Sequence, residues 1–143
     1  MNKKEKILMV EDSQSLAAIY ASYLSSQHVD LLIVDNLQTA REEWIRTQPD
    51  LVLLDVELPD GNGLDLLKDR PREENEADVV VMTAYGSAEA SVDAMNLGAV
   101  DYLSKPFDAD RLKVTVTNTL KNRALQEAVK KYSSLDRKRY CDF

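Results

Sequence analysis

The chain holds little of what many catalytic sites are built from. Of its 143 residues one is cysteine, Cys141, and one is histidine, His28. A single cysteine excludes an internal disulfide and a cysteine-based metal cluster, and fits a reduced, cytoplasmic setting. His28 falls in a predicted turn, and with no histidine near a strand end a hydrolytic triad has no candidate. No apolar run approaches the roughly 20 residues that span a bilayer. The opening MNKKEKILMVED offers only Ile7 to Val10 before two acids, which is no signal peptide. A GxxxxGK[ST] phosphate loop is missing. GNGLDL, residues 61–66, begins like a dinucleotide loop but ends in Leu66 and follows an acid. DGNG lacks the spacing of a calcium-binding hand. Positive charge is scarce over most of the chain: residues 1–120 carry 11 Lys/Arg against 22 Asp/Glu, whereas 121–143 carry 7 against 3. An acidic body does not bind nucleic acid through its surface field. The basic tail reads most simply as a solvated helix.

What is present is a core-forming composition, 44% hydrophobic, in a regular alternation. Ile7–Val10, Leu31–Val34, Leu51–Leu54, Val79–Met82 and Val100–Leu103 are aliphatic runs without polar alternation, as in strands covered on both faces. Amphipathic stretches lie between them. SQSLAAIYASYLSS opens on Ser13 as N-cap and sets Leu16, Ile19, Tyr20, Tyr23 and Leu24 on one face. NLQTAREEWIRT opens on Asn36 and stops at Pro49. LDLLKDR ends before Pro71 and the acidic run REENE. SAEASVDAMNLG runs from Ser87 to Gly98. A fifth helix starts at Asp108, and no breaker ends it: Leu125, Ala128, Val129, Tyr132 and Leu135 continue at helical spacing, interrupted upstream by Asn118 and Lys121. Five β-then-α units predict an α/β fold, a doubly wound five-stranded parallel sheet with an extended C-terminal helix.

In such a sheet ligands bind beyond the carboxyl ends of the strands, where strand order reverses. The first strand ends in Glu11 and Asp12, the third in Asp55, the fourth in Thr83, and the loop after the fifth supplies Lys105 and Pro106. Strand two ends in Asp35, which reads as a helix cap. Each residue alone has an ordinary structural reading, as turn, cap or surface residue; their joint placement on one rim is what points to chemistry. Clustered carboxylates about 4 Å apart repel by ~4 kcal/mol at an effective dielectric near 20, and call for a cation. All-oxygen ligands favour Mg²⁺ or Mn²⁺ over zinc. A divalent cation beside a lysine and a hydroxyl suits a phosphoryl group, with Asp55 as nucleophile.

Four separated motifs, VED (10–12), LLDVELPDGNGLDLL (53–67), MTAYGS (82–87) and DYLSKPF (101–107), resemble the receiver domains of bacterial two-component response regulators, the CheY-like family. The resemblance covers about 120 residues and implies a flavodoxin-like strand order of 2-1-3-4-5. It implies that Asp55 accepts a phosphoryl group from a sensor histidine kinase or a histidine phosphotransfer protein. Asp12 and Asp55 would ligate Mg²⁺ (or Mn²⁺) with the main-chain carbonyl of Glu57, Glu11 acting through water. Thr83 and Lys105 would contact the phosphoryl oxygens, the Lys105–Pro106 bond would be cis, and Tyr102 would be the aromatic switch that turns inward with Thr83. Glu57 and Tyr85 occupy positions that tune dephosphorylation. Such a domain is no conventional enzyme; it catalyses its own Mg²⁺-dependent phosphorylation and dephosphorylation.

The run MTAYGSAEASVDAMNLGAVDYLSKPF and the long fifth helix look most like the NtrC class, including LuxO-like regulators. That class implies a receiver over 1–122 and a helical linker over 123–143 leading to a sigma-54-activating AAA+ ATPase and a DNA-binding domain. DNA would be met only through that output domain, and a homodimer would form through the helix 4–strand 5–helix 5 face or the linker. The rival reading is a stand-alone receiver, serving as a phosphorelay intermediate or interaction module. A metal-dependent phosphatase fits less well, since it wants a second Asp two residues after the acceptor, where Glu57 stands.

Overall fold

Aliphatic runs become strands and amphipathic stretches become helices in a computed structural model that describes residues 4–70, 76–84 and 88–141. In chain order these are β1 (Glu5–Val10), α1 (Gln14–Tyr23), β2 (Val29–Val34), α2 (Leu37–Thr47), β3 (Leu51–Asp55), β4 (Glu57–Leu58), β5 (Gly61–Asn62), α3 (Gly63–Lys68), β6 (Asp78–Thr83), α4 (Ala88–Asn96), β7 (Asp101–Ser104) and α5 (Ala109–Cys141). Five strands form one parallel sheet in the order β2-β1-β3-β6-β7. Counting those strands alone, the order is 2-1-3-4-5, the doubly wound flavodoxin-like arrangement. The short strands β4 and β5 pair antiparallel in a hairpin of their own, an element that the sequence reading treats as loop.

Alternation along the strands divides the core in two. Leu8, Val10, Val52, Leu54, Val79 and Val81 point to the face covered by α2, α3 and α4, where Trp44, Leu66, Leu67 and Ala94 pack. Ile7, Met9, Leu51, Leu53, Val80 and Met82 point to the other face, against Tyr20 and Leu24 at α1 and Leu112 and Val116 of α5. The inner strands β1, β3 and β6 bury both faces, which accounts for their aliphatic runs, whereas the edge strands β2 and β7 are partly open, with Ile33 and Tyr102 exposed.

Local chemistry sets the helix ends. Ser13 caps α1, accepting the Leu16 N–H at 3.3 Å. The buried stripe of α1 runs through Ala17, Tyr20 and Leu24 with Leu16 and Tyr23 beside it, and leaves Ile19 exposed. Ile19 sits a residue, some 100°, from the stripe's centre at Tyr20, so the expected placement of Ile19 on the inner face is corrected. Asn36 caps α2 through the Thr39 N–H, while Asp35 accepts from the Asn36 side chain instead of capping the helix. At the far end Gln48 precedes Pro49 and leaves the helical region, taking φ 48° while its N–H still bonds Trp44 O at 3.1 Å. Pro71, residues 72–75 of the REENE run, Tyr85 and Ser87 lie outside the described residues.

The fifth helix is continuous for 33 residues. Its first part is held by Leu112 and Val116 in the core, with Leu120 packed against it. Among the described residues Arg123 makes the last tie to the body. Its guanidinium donates to Glu76 O at 2.7 Å and lies 3.7 Å from Asp50 and 4.0 Å from Asp78. Beyond it Leu125 and Val129 are exposed. Among the described residues no helix is long and apolar enough to cross a membrane.

Candidate functional site

The central strands β1 and β3 lie side by side, and the chain leaves them in opposite directions, to β2 on one side and β6 on the other. Their carboxyl ends therefore flank the point where strand order reverses. Glu11 and Asp12 follow β1 directly, and the Glu11 N–H continues the ladder to Val34 O at 2.9 Å. Asp55 is the last residue of β3, paired in register with Met82, so Thr83 stands one position further along β6. Lys105 follows β7, its N–H bonding Thr83 O at 2.7 Å, and the Lys105–Pro106 bond is cis. Phe107 then stacks on Tyr20 at 4.4 Å between ring centroids, fastening the loop to α1.

These side chains meet. The Lys105 ammonium donates to Asp55 Oδ2 at 3.1 Å and to Glu11 Oε1 in a shorter contact. Glu11, Asp55 and Thr83 are buried, at 2%, 4% and 5% exposure, whereas Asp12 is open to solvent. Asp55 Oδ1 accepts the Glu57 N–H at 3.3 Å, and Glu11 Oε2 accepts the Ser13 N–H at 3.2 Å. Carboxylate oxygens of Glu11, Asp12 and Asp55 all lie within 4.8 Å of one another.

Burial, aided by the charge of Asp55, pushes the Glu11 carboxyl above its ordinary value despite its hydrogen bond to Lys105. Burial works against the Lys105 charge too, but the Glu11 hydrogen bond and the two carboxylate charges outweigh it and raise its pKa. One ammonium thus serves two buried acids with the open Asp12 carboxyl beside them, leaving acidic groups in excess of positive charge. A hard divalent cation balances that excess, and the donor set is all oxygen, so the residues present fit Mg²⁺.

The hairpin shapes the approach to Asp55. A Cβ at Gly63 would fall 2.0 Å from the Asp55 carbonyl oxygen, so only glycine lets the chain return this close to the strand end. The Gly63 N–H bonds Val56 O at 2.7 Å. Glu57 is exposed, and Tyr102 on β7 is also exposed. Tyr85 lies outside the described residues. A cavity of about 370 Å³ between β7 and α5, lined by Asp101, Arg111, Thr115 and Arg123 among others, shares no residue with this rim.

Residues 7–117 match the family model described as response regulator receiver domain. The chain belongs to that family. This receiver is 44% identical over 130 residues to the regulatory protein LuxO of Vibrio cholerae, covering 91% of the chain and 28% of LuxO. It is 30% identical to AtoC of Escherichia coli over 130 residues, again 91% of the chain and 28% of the relative. The crystal structure of the signal receiver domain of a LuxO repressor protein from Vibrio parahaemolyticus superposes with a TM-score of 0.84 at 36% identity, covering 89% of this receiver and 98% of that one. NtrX of Brucella abortus gives 0.83 at 29% identity, covering 91% of this receiver but 30% of NtrX. The receiver therefore spans under a third of the length of LuxO and AtoC, about 28% of each.

Two positioning elements at this rim escape a reading of strand ends alone. One is the stacking of Phe107 on Tyr20; the other is Asp60, at the hairpin turn, which accepts the Leu37 and Gln38 N–H groups of α2. Asp60 carries no sequence signal beyond a turn-forming Pro-Asp-Gly.

Proposed function

We propose that the receiver takes a phosphoryl group onto Asp55 from a phosphohistidine of a sensor kinase or phosphotransfer protein and passes the change to an output module through α5. The observation that carries this reading is the half-buried Lys105 ammonium shared between Glu11 and Asp55, with Asp12 alongside. An Asp55 carboxylate oxygen attacks phosphorus, forming a P–O bond as the P–N bond to the donor histidine breaks. The electron pair of that bond leaves with the imidazole, which is a neutral leaving group once protonated.

Asp12, Asp55 and the Glu57 carbonyl would hold Mg²⁺, with Glu11 acting through water. When bound, the ion neutralises charge on the transferring oxygens. Lys105 pairs with one phosphoryl oxygen, and the Thr83 hydroxyl donates to another. Burial of Asp55 and Thr83 keeps bulk water from the acyl phosphate on that side. Glu57 and Tyr85 set the access of hydrolytic water.

Residues 1–122 form the switching body in this reading, and 123–143 the linker. Phosphorylation favours an alternative setting of α4, β7 and α5 in which Tyr102 turns inward, and shifts the population only by its differential binding to the two states. Exposed Val92, Met95, Val100, Tyr102 and Val114 on that face, and Leu125 and Val129 on the linker, support a homodimer of these chains. The setting is cytoplasmic, and the relatives' kinship supports a transcription-activating ATPase as output.

Incubation with acetyl phosphate and Mg²⁺, read by intact mass, tests the reading. One added phosphoryl group in the wild type, absent from Asp55→Asn and after chelation, is expected. An adduct of equal yield in Asp55→Asn would overturn it.

A further inference from the structure

The acceptor hairpin is too short to hold its own shape. Strands β4 and β5 have two residues each, joined by Glu57↔Asn62 and Leu58↔Gly61, and an isolated two-stranded hairpin is marginal even when longer. One end is fastened at the site itself, where the Glu57 N–H reaches Asp55 Oδ1 and the Gly63 N–H reaches Val56 O. The other end is fastened by Leu58, buried in the core cluster that includes Leu37, and by Asp60 at the turn. The two Asp60 oxygens accept the Leu37 N–H at 2.8 Å and the Gln38 N–H at 3.2 Å.

That attachment is specific in three respects. Helix α2 already has a cap in Asn36, which takes the Thr39 N–H at 2.8 Å, so Asp60 satisfies two further unpaired donors from 23 residues away. The Leu37 amide, with the Gln38 amide behind it, holds the Asp60 carboxyl below its ordinary value, keeping it charged at the positive end of the helix dipole. Gly61 at φ 149° brings the turn so near α2 that a Cβ there would lie 2.8 Å from Leu37 Cδ1. Turn and helix are thus in contact through backbone, side chain and charge.

We propose that Asp60 is a positioning residue: by clamping the acceptor hairpin to α2 it holds Glu57 and Asp55 in the arrangement that binds the divalent cation. This rests on the reading of the rim as a Mg²⁺ and phosphoryl site. Where only the clamped fraction is competent, apparent affinity falls in proportion to that fraction. Linkage then requires the reciprocal effect, cation binding tightening the clamp.

Two measurements on this chain test it without phosphorylation. Calorimetric titration with Mg²⁺ should show about three- to five-fold weaker binding in Asp60→Ala, the size expected from losing a helix-terminal carboxylate. Asp60→Asn, which keeps one acceptor, should fall between. Amide exchange at Leu37 and Gln38 should slow on adding Mg²⁺ to the wild type and not to Asp60→Ala. A folded Asp60→Ala with a lower Tm but unchanged Mg²⁺ affinity would make Asp60 a helix cap only and overturn the proposal. Equal Mg²⁺ binding by wild type and Asp55→Asn would instead bring down the reading of the rim. With that Asp55 dependence intact, the Asp60 result bears on the clamp alone.

Discussion

Gly63→Ala adds one methyl group at the tightest point of the acceptor loop. The new Cβ would stand 2.0 Å from the Asp55 carbonyl oxygen, 3.0 Å from its carbon and 3.2 Å from Val56 Cα, where ordinary contact begins near 3.4 Å. The obstacle is backbone, so no side chain can swing away; the strand end or the start of α3 must move by more than an ångström. Overpacking of this kind costs about 3 kcal/mol. Against that, Ala is favoured over Gly in a helix and reduces unfolded-chain entropy, together offsetting about 1 kcal/mol. The net loss is about 2 kcal/mol, a sizeable share of a typical 5–15 kcal/mol domain stability. Urea unfolding followed by the fluorescence of Trp44, the only tryptophan, reads it directly as a drop in midpoint of roughly 1 M. Phosphorylation from acetyl phosphate should fall further than stability does, since a displacement near 1 Å costs on the order of 100-fold in rate. Gly98→Ala is the control. Its φ is +102° and its Cβ would meet the Arg70 guanidinium end at 2.7 Å, so it too destabilises by about 1–2 kcal/mol, but far from the rim. If Gly63→Ala kept both midpoint and phosphorylation rate, or Gly98→Ala lost phosphorylation equally, the argument from close approach would be refuted.

Three further outcomes follow from the charges. Lys105→Met leaves Glu11 and Asp55 buried without their cation, lowering stability by about 3 kcal/mol in chelator; added Mg²⁺ should recover most of it, and thermal melts with the same Tm as wild type in chelator would contradict the shared-ammonium geometry. Arg123→Ala removes the last described tie of α5; its partners are partly exposed, so the cost is only about 1 kcal/mol, but amide exchange over residues 118–130 should quicken while phosphorylation is unchanged, and unaltered exchange would dismiss the tie. Burial raises the Asp78 carboxyl above its ordinary 3.8, with Arg123 opposing; a carboxyl raised on folding stabilises most below that unfolded value and loses stability as pH rises through its folded one. Asp78→Asn should therefore raise Tm at neutral pH, with the gain fading as pH falls toward 3.8 and absent below it; a gain constant with pH would point to another cause.

The sheet was legible because strands buried on both faces write themselves as aliphatic runs, and LVLLD is buried from Leu51 through Asp55. Strand ends then place Glu11, Asp12, Asp55, Thr83 and Lys105 along one edge without any knowledge of side-chain contacts. Ile19 shows the limit of helical periodicity: a wide apolar stripe does not say which flank faces inward. Asp35, Asn36 and Asp60 show another, since three cap-type residues compete at one helix terminus and only the tertiary fold assigns their donors. The β4–β5 hairpin leaves almost no hydrophobic pattern because each strand is two residues long, and its hold on the acceptor depends on glycines whose close approaches are invisible until the chain is folded.

Arg123 leaves 18 residues of helix beyond it, to Cys141, a span of about 27 Å at the usual rise. Such an arm converts angle into distance. A rotation of about 10° at its base would carry the tip about 5 Å, close to one helical pitch. The body can therefore stay nearly rigid, each of its cores intact, while whatever grips the far end of α5 feels a displacement of a full turn. The last described tie at the base of this arm is the Arg123 guanidinium, beside Asp50, Asp78 and the Glu76 carbonyl. Its compliance, set by salt as much as by sequence, would govern how faithfully a small motion at the sheet is magnified.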